Sequence, residues 1–288
     1  PLWSRGLGDV YKRQVGELLR LAGVKAMTIG TLGAYIGEQH FPTDHTTPDP
    51  DALFNLLRLA VDEGVTVVAM EASSHSIAQG KLAPLQFDSA AFTSFSRDHL
   101  DFHQTIENYW STKWSLFRNR LKPGALKVFS SSLLSRITAD SLDQSCVVYG
   151  VGDVRASTTE HRYSTLNIIV DSSDFSGSEI HLVLNGHDTP VKVPYFAKHA
   201  LENFAAATQL VSVTIKSSPT NQDLYCLRPV PGRLEPICKT ERPTVIVDYA
   251  HTPDALEKTL SVLRPLCKGN LHVVFGCGGD RDASKRAL

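Results

Sequence analysis

Two apolar segments that each end in a polar cluster constrain this chain more than any other feature of its sequence. The apolar residues 65–70 lead directly into EASSH (71–75), and residues 88–93 lead into SRDHLDFH (96–103). In open α/β sheets, ligands bind outside the carboxyl ends of parallel strands, and charge at such positions is costly to bury without a partner. We therefore predict one active site built from two neighbouring parallel strands, with ordinary solvated loops as the alternative.

The composition fits a globular protein and argues against two classes of partner. Of the 288 residues, 42% are hydrophobic and 20% are charged, and the formal net charge is −1. Such a chain has no basic field that attracts nucleic acid, and no apolar run approaches the ~20 residues of a membrane-spanning helix. The five cysteines are scattered and form no C-x-x-C pair, which is typical of reduced thiols. We therefore expect a cytoplasmic protein without nucleic-acid or membrane partners.

The two ends of the chain differ from the rest. Residues 1–14 (PLWSRGLGDVYKRQ) share no periodicity with residues 15–30 and resemble translated linker sequence. Residues 280–288 come just after a predicted strand and a glycine-rich turn, where a domain that has completed one β-α-β step should continue. We therefore interpret the chain as an internal fragment and exclude residues 1–14 from the prediction of its fold.

Hydrophobic periodicity predicts alternating helices and strands. The predicted helices cover residues 15–22, 49–63, 106–121, 201–213 and 254–263. The predicted strands cover residues 24–29, 65–70, 88–93, 125–130, 146–149, 245–247 and 271–275. Between residues 155 and 193 the alternation and an Asn-Gly turn at 185–186 predict antiparallel strands. The sequence PVPG at 229–232 is the best candidate for a domain boundary.

Lys113 has the most unusual position for its residue type. Ile106, Trp110, Lys113 and Phe117 step by four, three and four, so the lysine lies on the apolar stripe of its predicted helix. Burial there lowers the pKa of a lysine and exposes a neutral amine that is nucleophilic or reactive towards CO2. The alternative is a lysine whose stem packs while its amine reaches water.

Three further features are candidates for binding a metal or phosphate. His99 and His103 have the spacing of two zinc ligands on one helical face, but no third ligand is indicated. Glu71 at a strand end suits magnesium, which takes few carboxylates and keeps water and phosphate oxygens; the alternative is a carboxylate that caps the following helix. The sequence GCGG (276–279) resembles a phosphate-binding turn, although the chain contains no Walker A loop.

Five motifs occur in a fixed order along the chain. They are MEASSH (70–75), FTSFSRDHLDFH (92–103), PGRLE (231–235), VDYAHTPDAL (247–256) and FGCGGDRD (275–282). Together they resemble the Mur ligases, a family of ATP-dependent amide ligases. The resemblance runs from about residue 15 to the last residue, and it is strongest to the branch that adds the third residue of the peptidoglycan stem peptide.

The resemblance implies the architecture of the chain. We expect an α/β fold with a mostly parallel P-loop-type ATPase central sheet and a small antiparallel β portion, followed by the start of a Rossmann-like C-terminal domain. Residues 15–230 would form the central, ATP-binding domain, and residues 231–288 the truncated start of the C-terminal domain. Residues 1–14 stand where the family's TGTNGKT phosphate loop should lie.

The resemblance also implies roles for individual residues. Lys113 falls at the family's carbamoylated lysine, and Lys113 and His99 are the expected catalytic residues. The expected ligands of two magnesium ions are Glu71, His99 and the carbamate on Lys113. The positions that contact the UDP-N-acetylmuramoyl-dipeptide are Thr46, Thr47, Ser73, Gln79 and Lys81. The positions around the adenine and ribose of ATP are Asn203, Arg233, Asp248 and His251.

The implied reaction joins UDP-N-acetylmuramoyl-L-alanyl-D-glutamate to a diamino acid, meso-diaminopimelate or L-lysine, through an acyl phosphate made with ATP. Lys81 departs from the family's usual arginine, Ser94 from an asparagine, and Ala200 from the first asparagine of an N-x-x-N pair. The alternatives are another ligase of this type, such as a folylpolyglutamate or cyanophycin synthetase, and a non-catalytic binding domain derived from a ligase. Because the phosphate loop is missing, we expect the fragment itself to be inactive.

Overall fold

The computed structural model describes residues 4–152, 163–215, 224–228, 230–237, 243–250 and 253–276. Its helices are α1 Ser4–Leu21, α2 Pro50–Asp62, α3 Ser74–Ala78, α4 Leu100–His103, α5 Ile106–Asn119, α6 Lys198–Ser212 and α7 Pro253–Leu266. Its strands are β1 Ala26–Gly30, β2 Gly33–Ile36, β3 Gln39–Phe41, β4 Val67–Met70, β5 Phe87–Phe92, β6 Leu121–Ser130, β7 Cys146–Val151, β8 Ser164–Asp174, β9 Gly177–Leu184, β10 His187–Val193, β11 Glu235–Ile237 and β12 Val245–Val247.

The described strands form three sheets. In the first, with the order β3-β2-β1-β4, β1 pairs antiparallel with β2 and parallel with β4. The second has the order β10-β9-β8-β7-β6-β5; β5 to β8 are parallel, and β8 to β10 are antiparallel. The short strands β11 and β12 pair with each other. The predicted α/β class, with mostly parallel central strands and an antiparallel portion, is confirmed.

Helices cover both faces of the parallel strands, which are typically buried on both sides. On one face, α1 and α6 pack over a core in which Tyr149 and Phe204 are fully buried. On the other face, α2 and α5 pack over a second core around Met27. Successive side chains of β4 alternate between the two, with Ala69 against the first core and Val68 against the second. The strands that carry the predicted site are therefore apolar on both faces.

Local sequence explains where several elements begin and end. Helix α2 starts after Asp49 with Pro50 in its first turn, where the missing N–H leaves no helical hydrogen bond unmade. The β9–β10 hairpin turns on Asn185 and Gly186, whose φ angles are 49° and 85°. Both positions need positive φ in the hairpin turn that an Asn-Gly sequence favours. The predicted turn at 185–186 is confirmed.

Several details of the predicted secondary structure are wrong or incomplete. Helix α1 begins at Ser4 rather than at residue 15, and Lys12 and Gln14 are buried in it. The hairpin β2–β3 was not predicted, because Gly33 and Gly37 interrupt its apolar pattern. Residues 271–275 form no strand, because the described residues provide no hydrogen-bonded neighbour for them. Residues 153–162, where the predicted β-rich region starts, and Pro229 at the predicted boundary lie outside the described residues.

The described residues include free cysteines and no helix that could span a membrane. Cys146, Cys226 and Cys267 are free thiols. Within the ranges given above, every helix is too short or too polar to cross a bilayer. Apolar packing such as that around Phe204, which is fully buried, stabilises these sheets and helices.

Replacing Phe204 with alanine should lower the free energy of unfolding by about 3–5 kcal/mol, because the lost ring leaves a cavity in a closely packed core. Urea unfolding followed by circular dichroism measures the change. Val61→Ala on α2 is the control, since that side chain is 69% exposed and should change stability by less than about 0.5 kcal/mol. Equal effects of the two substitutions would contradict the described packing of α6.

Candidate active site

A cavity of about 1580 Å³ lies along β4 and β5 and reaches the loops at their carboxyl ends. The predicted metal and substrate residues all line it: Glu71, His99, Lys113, Thr46, Thr47, Ser73, Gln79 and Lys81. The loops that follow the two strands meet there, since the rings of His75 and His99 are only 4.9 Å apart. The structure thus brings together the two polar clusters that the sequence places about 25 residues apart.

Glu71 is held at the end of β4 by polar contacts in a tight space. Its Oε1 accepts the backbone N–H of Thr31 at 3.3 Å and lies 3.3 Å from the amine of Lys12. The side chain is 12% exposed. A Cβ atom at Gly30 would clash with this carboxylate, so only glycine allows β1 to pass so close to it. The sequence of β1 therefore helps to fix the carboxylate.

Glu71 does not cap the following helix. The cap of α3 is Ser73, whose Oγ accepts the backbone N–H of Ser76 at 3.2 Å. Serine is among the residues most favoured at this position, because its oxygen satisfies a free helical N–H. The capping alternative for Glu71 is therefore wrong, and the carboxylate remains directed into the cavity.

Hydroxyl groups from the loop before α2 surround the end of β4. Thr47 donates its hydroxyl to the carbonyl of Glu71 at 2.8 Å and accepts the N–H of Ser73 at 3.1 Å. Thr46 lies against Thr31, with their hydroxyl oxygens 3.0 Å apart. Thr47 is 2% exposed, so its hydroxyl joins the loop to the strand rather than pointing to solvent. This contact explains how a threonine far from β4 in sequence reaches the site.

Lys81 and Gln79 form the other rim of the cavity. Gln79 ends α3, and the Lys81 amine lies 2.5 Å from a carboxylate oxygen of Asp49. This hydrogen bond lowers the pKa of Asp49. Lys81 therefore places a positive charge at the cavity mouth, where an acidic ligand would meet it.

His99 adopts a backbone conformation that is unusual for its residue type. Its φ is 53°, a left-handed value that costs a non-glycine residue roughly 1–2 kcal/mol. Asp98 compensates: its Oδ1 accepts the N–H of His99 at 2.8 Å, and its Oδ2 lies 3.4 Å from Nε2 of the same residue. Asp98 is only 4% exposed. Sequence reasoning noted the SRDH run but assigned no role to Asp98, which holds the backbone N–H of His99 and places a carboxylate beside its imidazole.

His103 faces a different partner from His99. Its Nε2 is 2.9 Å from the hydroxyl of Ser74, and its side chain is buried. Burial lowers the pKa of both histidines. For His99, the negative charge of Asp98 acts in the opposite direction and raises the pKa. The part of the chain that the structure describes contains no group of three histidine, cysteine, aspartate or glutamate side chains arranged to hold a metal.

Lys113 lies where the sequence predicted, on the cavity side of α5. Its Nζ is 5.5 Å from the centre of the Phe92 ring and 5.4 Å from that of Tyr109. Burial lowers the pKa of Lys113 to about 8, although the charge of Asp98 acts in the opposite direction. An amine held between aromatic rings is desolvated, which favours the neutral-amine interpretation over a lysine that reaches open water.

The residues expected around ATP lie elsewhere. Of these, Arg233 and Asp248 are close to the β11–β12 pair: the Arg233 guanidinium is 4.8 Å from the ring centre of Tyr249. Asp248 accepts the backbone N–H groups of Leu234 and Ala250, both at 2.8 Å. The structure therefore separates the expected adenine and ribose contacts from the cavity that holds Glu71 and Lys113.

A buried amide and an exposed histidine accompany this second region. Asn203 on α6 is 4% exposed, and its Nδ2 has no hydrogen-bond partner among the described residues. His199, which sequence reasoning did not single out, has an exposed side chain; partial desolvation and the charge of Arg233 lower its pKa, and the charge of Asp248 acts in the opposite direction. His251 and residues 277–279 of the predicted phosphate-binding turn lie outside the described residues.

The pKa of Lys113 predicts how stability depends on pH. Between pH 8 and 10.5 the Lys113 amine binds more protons in the unfolded chain than in the folded chain, so its contribution to the free energy of unfolding should rise with pH in this window. Urea unfolding of the wild type and of Lys113→Met across this window measures the difference. Lys25→Met, which removes an amine that is 50% exposed, is the control. If the difference in the free energy of unfolding between wild type and Lys113→Met did not vary with pH, the Lys113 amine would not be desolvated in the folded chain.

Asp98→Asn should lower the pH at which His99 titrates, because the carboxylate that favours the charged imidazole is removed. NMR titration of the His99 ring protons measures this pKa. Asp101→Asn is the control, since Asp101 also favours the charged form but more weakly. If Asp101→Asn lowered the pKa of His99 as much as Asp98→Asn does, or more, Asp98 would not be the main group that favours the charged imidazole.

Known proteins resemble this chain along nearly all of its length. The family model for the Mur ligase middle domain matches residues 12–211, and that for the Mur ligase glutamate ligase domain matches residues 232–288. The UDP-N-acetylmuramoyl-L-alanyl-D-glutamate--2,6-diaminopimelate ligase of Coxiella burnetii is 36% identical over 276 residues, which are 94% of this chain and 55% of that relative. The ligase of the same name from Pseudomonas aeruginosa is 35% identical over 277 residues, with coverages of 95% and 55%.

A solved structure of a ligase with this name superposes on the chain with a TM-score of 0.76 and 30% sequence identity, covering 96% of this chain and 55% of that protein. The chain therefore spans about half the length of the relatives that it matches. Two consecutive family models and a shared fold lead to the same assignment. The chain belongs to the Mur ligase family.

Proposed function

We propose that the protein containing this chain is an ATP-dependent ligase that joins 2,6-diaminopimelate to UDP-N-acetylmuramoyl-L-alanyl-D-glutamate in peptidoglycan synthesis. The main support for this proposal is that Glu71, His99 and the desolvated Lys113 line the same cavity. The names of the relatives support diaminopimelate rather than L-lysine as the amino acid. Because those relatives carry the same name, the folylpolyglutamate and cyanophycin alternatives are not favoured.

The two family matches support a division of the chain into two units. In this proposal, residues 15–230 belong to the central, ATP-binding domain and residues 231–288 to the start of the C-terminal domain. The first unit supplies the cavity, and the second supplies Arg233 and Asp248. A ligase of this kind would bring both units around its nucleotide.

Magnesium is the metal that suits the donors in the cavity. It takes one or two carboxylates and completes its shell with water and phosphate oxygens, and Glu71 provides a carboxylate on the cavity wall. His99, with its lowered pKa, offers a neutral imidazole, the form that binds metals. Bound magnesium would neutralise charge on the triphosphate of ATP.

Lys113 completes this site when its amine reacts with CO2. The neutral amine forms a nitrogen–carbon bond with CO2 and releases one proton to solvent, which leaves a negatively charged carbamate. The lowered pKa of Lys113 favours this reaction, because only the unprotonated amine is a nucleophile. The carbamate oxygens would help to hold a second magnesium ion, as the family resemblance implies.

The remaining residues bind the two substrates. Thr46, Thr47, Ser73, Gln79 and Lys81 offer hydroxyl, amide and ammonium groups to the acidic UDP-N-acetylmuramoyl-dipeptide. Asn203, Arg233, Asp248 and His251 contact the adenine and ribose of ATP, and the unpaired buried amide of Asn203 is available for such a contact. The dipeptide carboxylate attacks the γ-phosphate to give an acyl phosphate, and the amine of diaminopimelate then displaces phosphate to form the amide.

Phosphate release by the full-length protein tests this proposal. It should require UDP-N-acetylmuramoyl-L-alanyl-D-glutamate and ATP together, and diaminopimelate should stimulate it more than L-lysine does. The 288-residue chain alone should stay near background, because each lost group that stabilises the transition state costs on the order of 10²–10³ in rate and the chain has no Walker A loop. No stimulation of the full-length protein by any diamino acid would instead favour a binding domain.

Lys113→Ala in the full-length protein should reduce the rate on the order of 10²-fold or more, as the loss of one transition-state contact does. A short carboxylate such as acetate should restore part of the activity, because it replaces the carbamate oxygens. Lys122→Ala, which removes an amine that is 48% exposed, is the control and should keep normal activity. Ordinary activity of Lys113→Ala would show that the carbamate is not needed.

A further inference from the structure

The loop of residues 93–99 carries Asp98 and His99 from the end of β5 to the start of α4. The two contacts between Asp98 and His99 join neighbouring residues of this loop, so they do not attach it to the rest of the fold. The left-handed backbone of His99 persists only where the surrounding structure holds it. The side chain of Phe95 provides such an attachment.

Phe95 packs against three aromatic rings. Its ring stacks on that of Tyr109 with the centres 4.9 Å apart, and it meets Trp110 edge-on at 5.1 Å and Phe92 edge-on at 6.1 Å. These are the stacked and edge-to-face arrangements that aromatic pairs favour. Tyr109 and Trp110 both belong to α5. Phe95 therefore fixes the loop to the helix that also carries Lys113.

A positive charge from another part of the chain lies over this aromatic contact. The guanidinium carbon of Arg136 is 5.0 Å from the centre of the Phe95 ring and 5.9 Å from that of Trp110, within the ~6 Å at which a ring face attracts a cation. Leu133 and Ile137, on either side of Arg136 in the sequence, are buried in an apolar core. The segment after β6 thus presents Arg136 to the two rings from a fixed backbone.

Tyr109 connects this contact to the reactive groups. Its ring centre is 5.7 Å from that of His99 and 5.4 Å from the Nζ of Lys113, and the same ring stacks on Phe95. Neither Phe95 nor Arg136 lines the cavity, so neither would touch a ligand there. A contact route from Arg136 to the site therefore runs through the aromatic rings.

We propose that Arg136 is a positioning residue of this site. Its cation–π contact holds Phe95, and Phe95 in turn holds the loop of residues 93–99 and the Tyr109 ring. The effect on rate rests on the proposed ligase function, whereas the effect on the rings does not. An exposed contact of this kind shifts the balance between held and released arrangements by roughly two- to fivefold, and it can shift that balance by no more than its own strength.

A double-mutant cycle in the full-length protein tests this route. Arg136→Met keeps an apolar stem without the charge, and Phe95→Leu keeps an apolar side chain without the ring. Arg136→Met should lower kcat roughly two- to fivefold and leave the KM values of ATP and of UDP-N-acetylmuramoyl-L-alanyl-D-glutamate unchanged, because Arg136 lies outside the cavity. In the Phe95→Leu background the same substitution should have no further effect on kcat, since residues that act through one contact are not additive.

Two further variants separate the cation–π contact from other effects of the substitution. Arg136→Lys retains a cation and should keep most of the wild-type kcat. Lys192→Met removes a cation that lies 5.2 Å from the centre of the Tyr225 ring, away from the cavity, and should leave kcat unchanged. An equal fall in kcat from Arg136→Met with and without the Phe95 ring would show that Arg136 acts through its charge or through stability, and would overturn the proposal. An unchanged kcat in Arg136→Met would overturn it too.

NMR of the 288-residue chain tests the contact without activity. The ring protons of Tyr109 and His99 should shift in Arg136→Met, because the Phe95 ring moves against Tyr109, and should not shift in Lys192→Met. A role in stability alone would lower the melting temperature without moving these resonances, and would overturn the proposal. An inactive wild-type full-length protein would contradict the proposed function, and the resonances would then decide the positioning role by themselves.

Discussion

Burial of the Lys113 amine between the rings of Phe92 and Tyr109 is the interaction on which the rest of the site depends. It desolvates a charge, lowers the pKa to about 8, and leaves a neutral amine beside the carboxyl ends of two strands. Such a group is unfavourable for stability in its protonated form, so a purely structural lysine would be better replaced by an apolar residue. An amine at this position is explained by its reaction with CO2, which gives a charged carbamate that can bind a metal ion.

Specific contacts hold the polar groups around Lys113, and one of these groups, His99, has a strained backbone. His99 has a left-handed backbone conformation, and Asp98 holds its N–H and faces its ring. Gly30 gives Glu71 the space to lie against β1. Strained residues cluster where geometry matters more than stability. Here the strained backbone of His99 places its imidazole on the cavity wall that Lys113 also lines.

Much of the fold and part of the site could be predicted from the sequence. Periodicity placed Lys113 on the apolar side of α5, and the two polar strand ends indicated one shared site, because both signals are local. Other features depend on contacts between distant residues. The hydrogen bonds of Thr47 to the end of β4 and the burial of Lys12 in α1 leave no periodic signal.

A direct measurement of the central claim is carbon-13 NMR of the chain in labelled bicarbonate at a pH above the Lys113 pKa of about 8. The amine should take up labelled CO2 and give a carbamate resonance that exchanges with the bicarbonate pool. Lys113→Met should lose this resonance, while Lys122→Met should keep it. A spectrum that is the same for wild type and Lys113→Met would show that the Lys113 amine carries no carbamate, and the account of the site would fail.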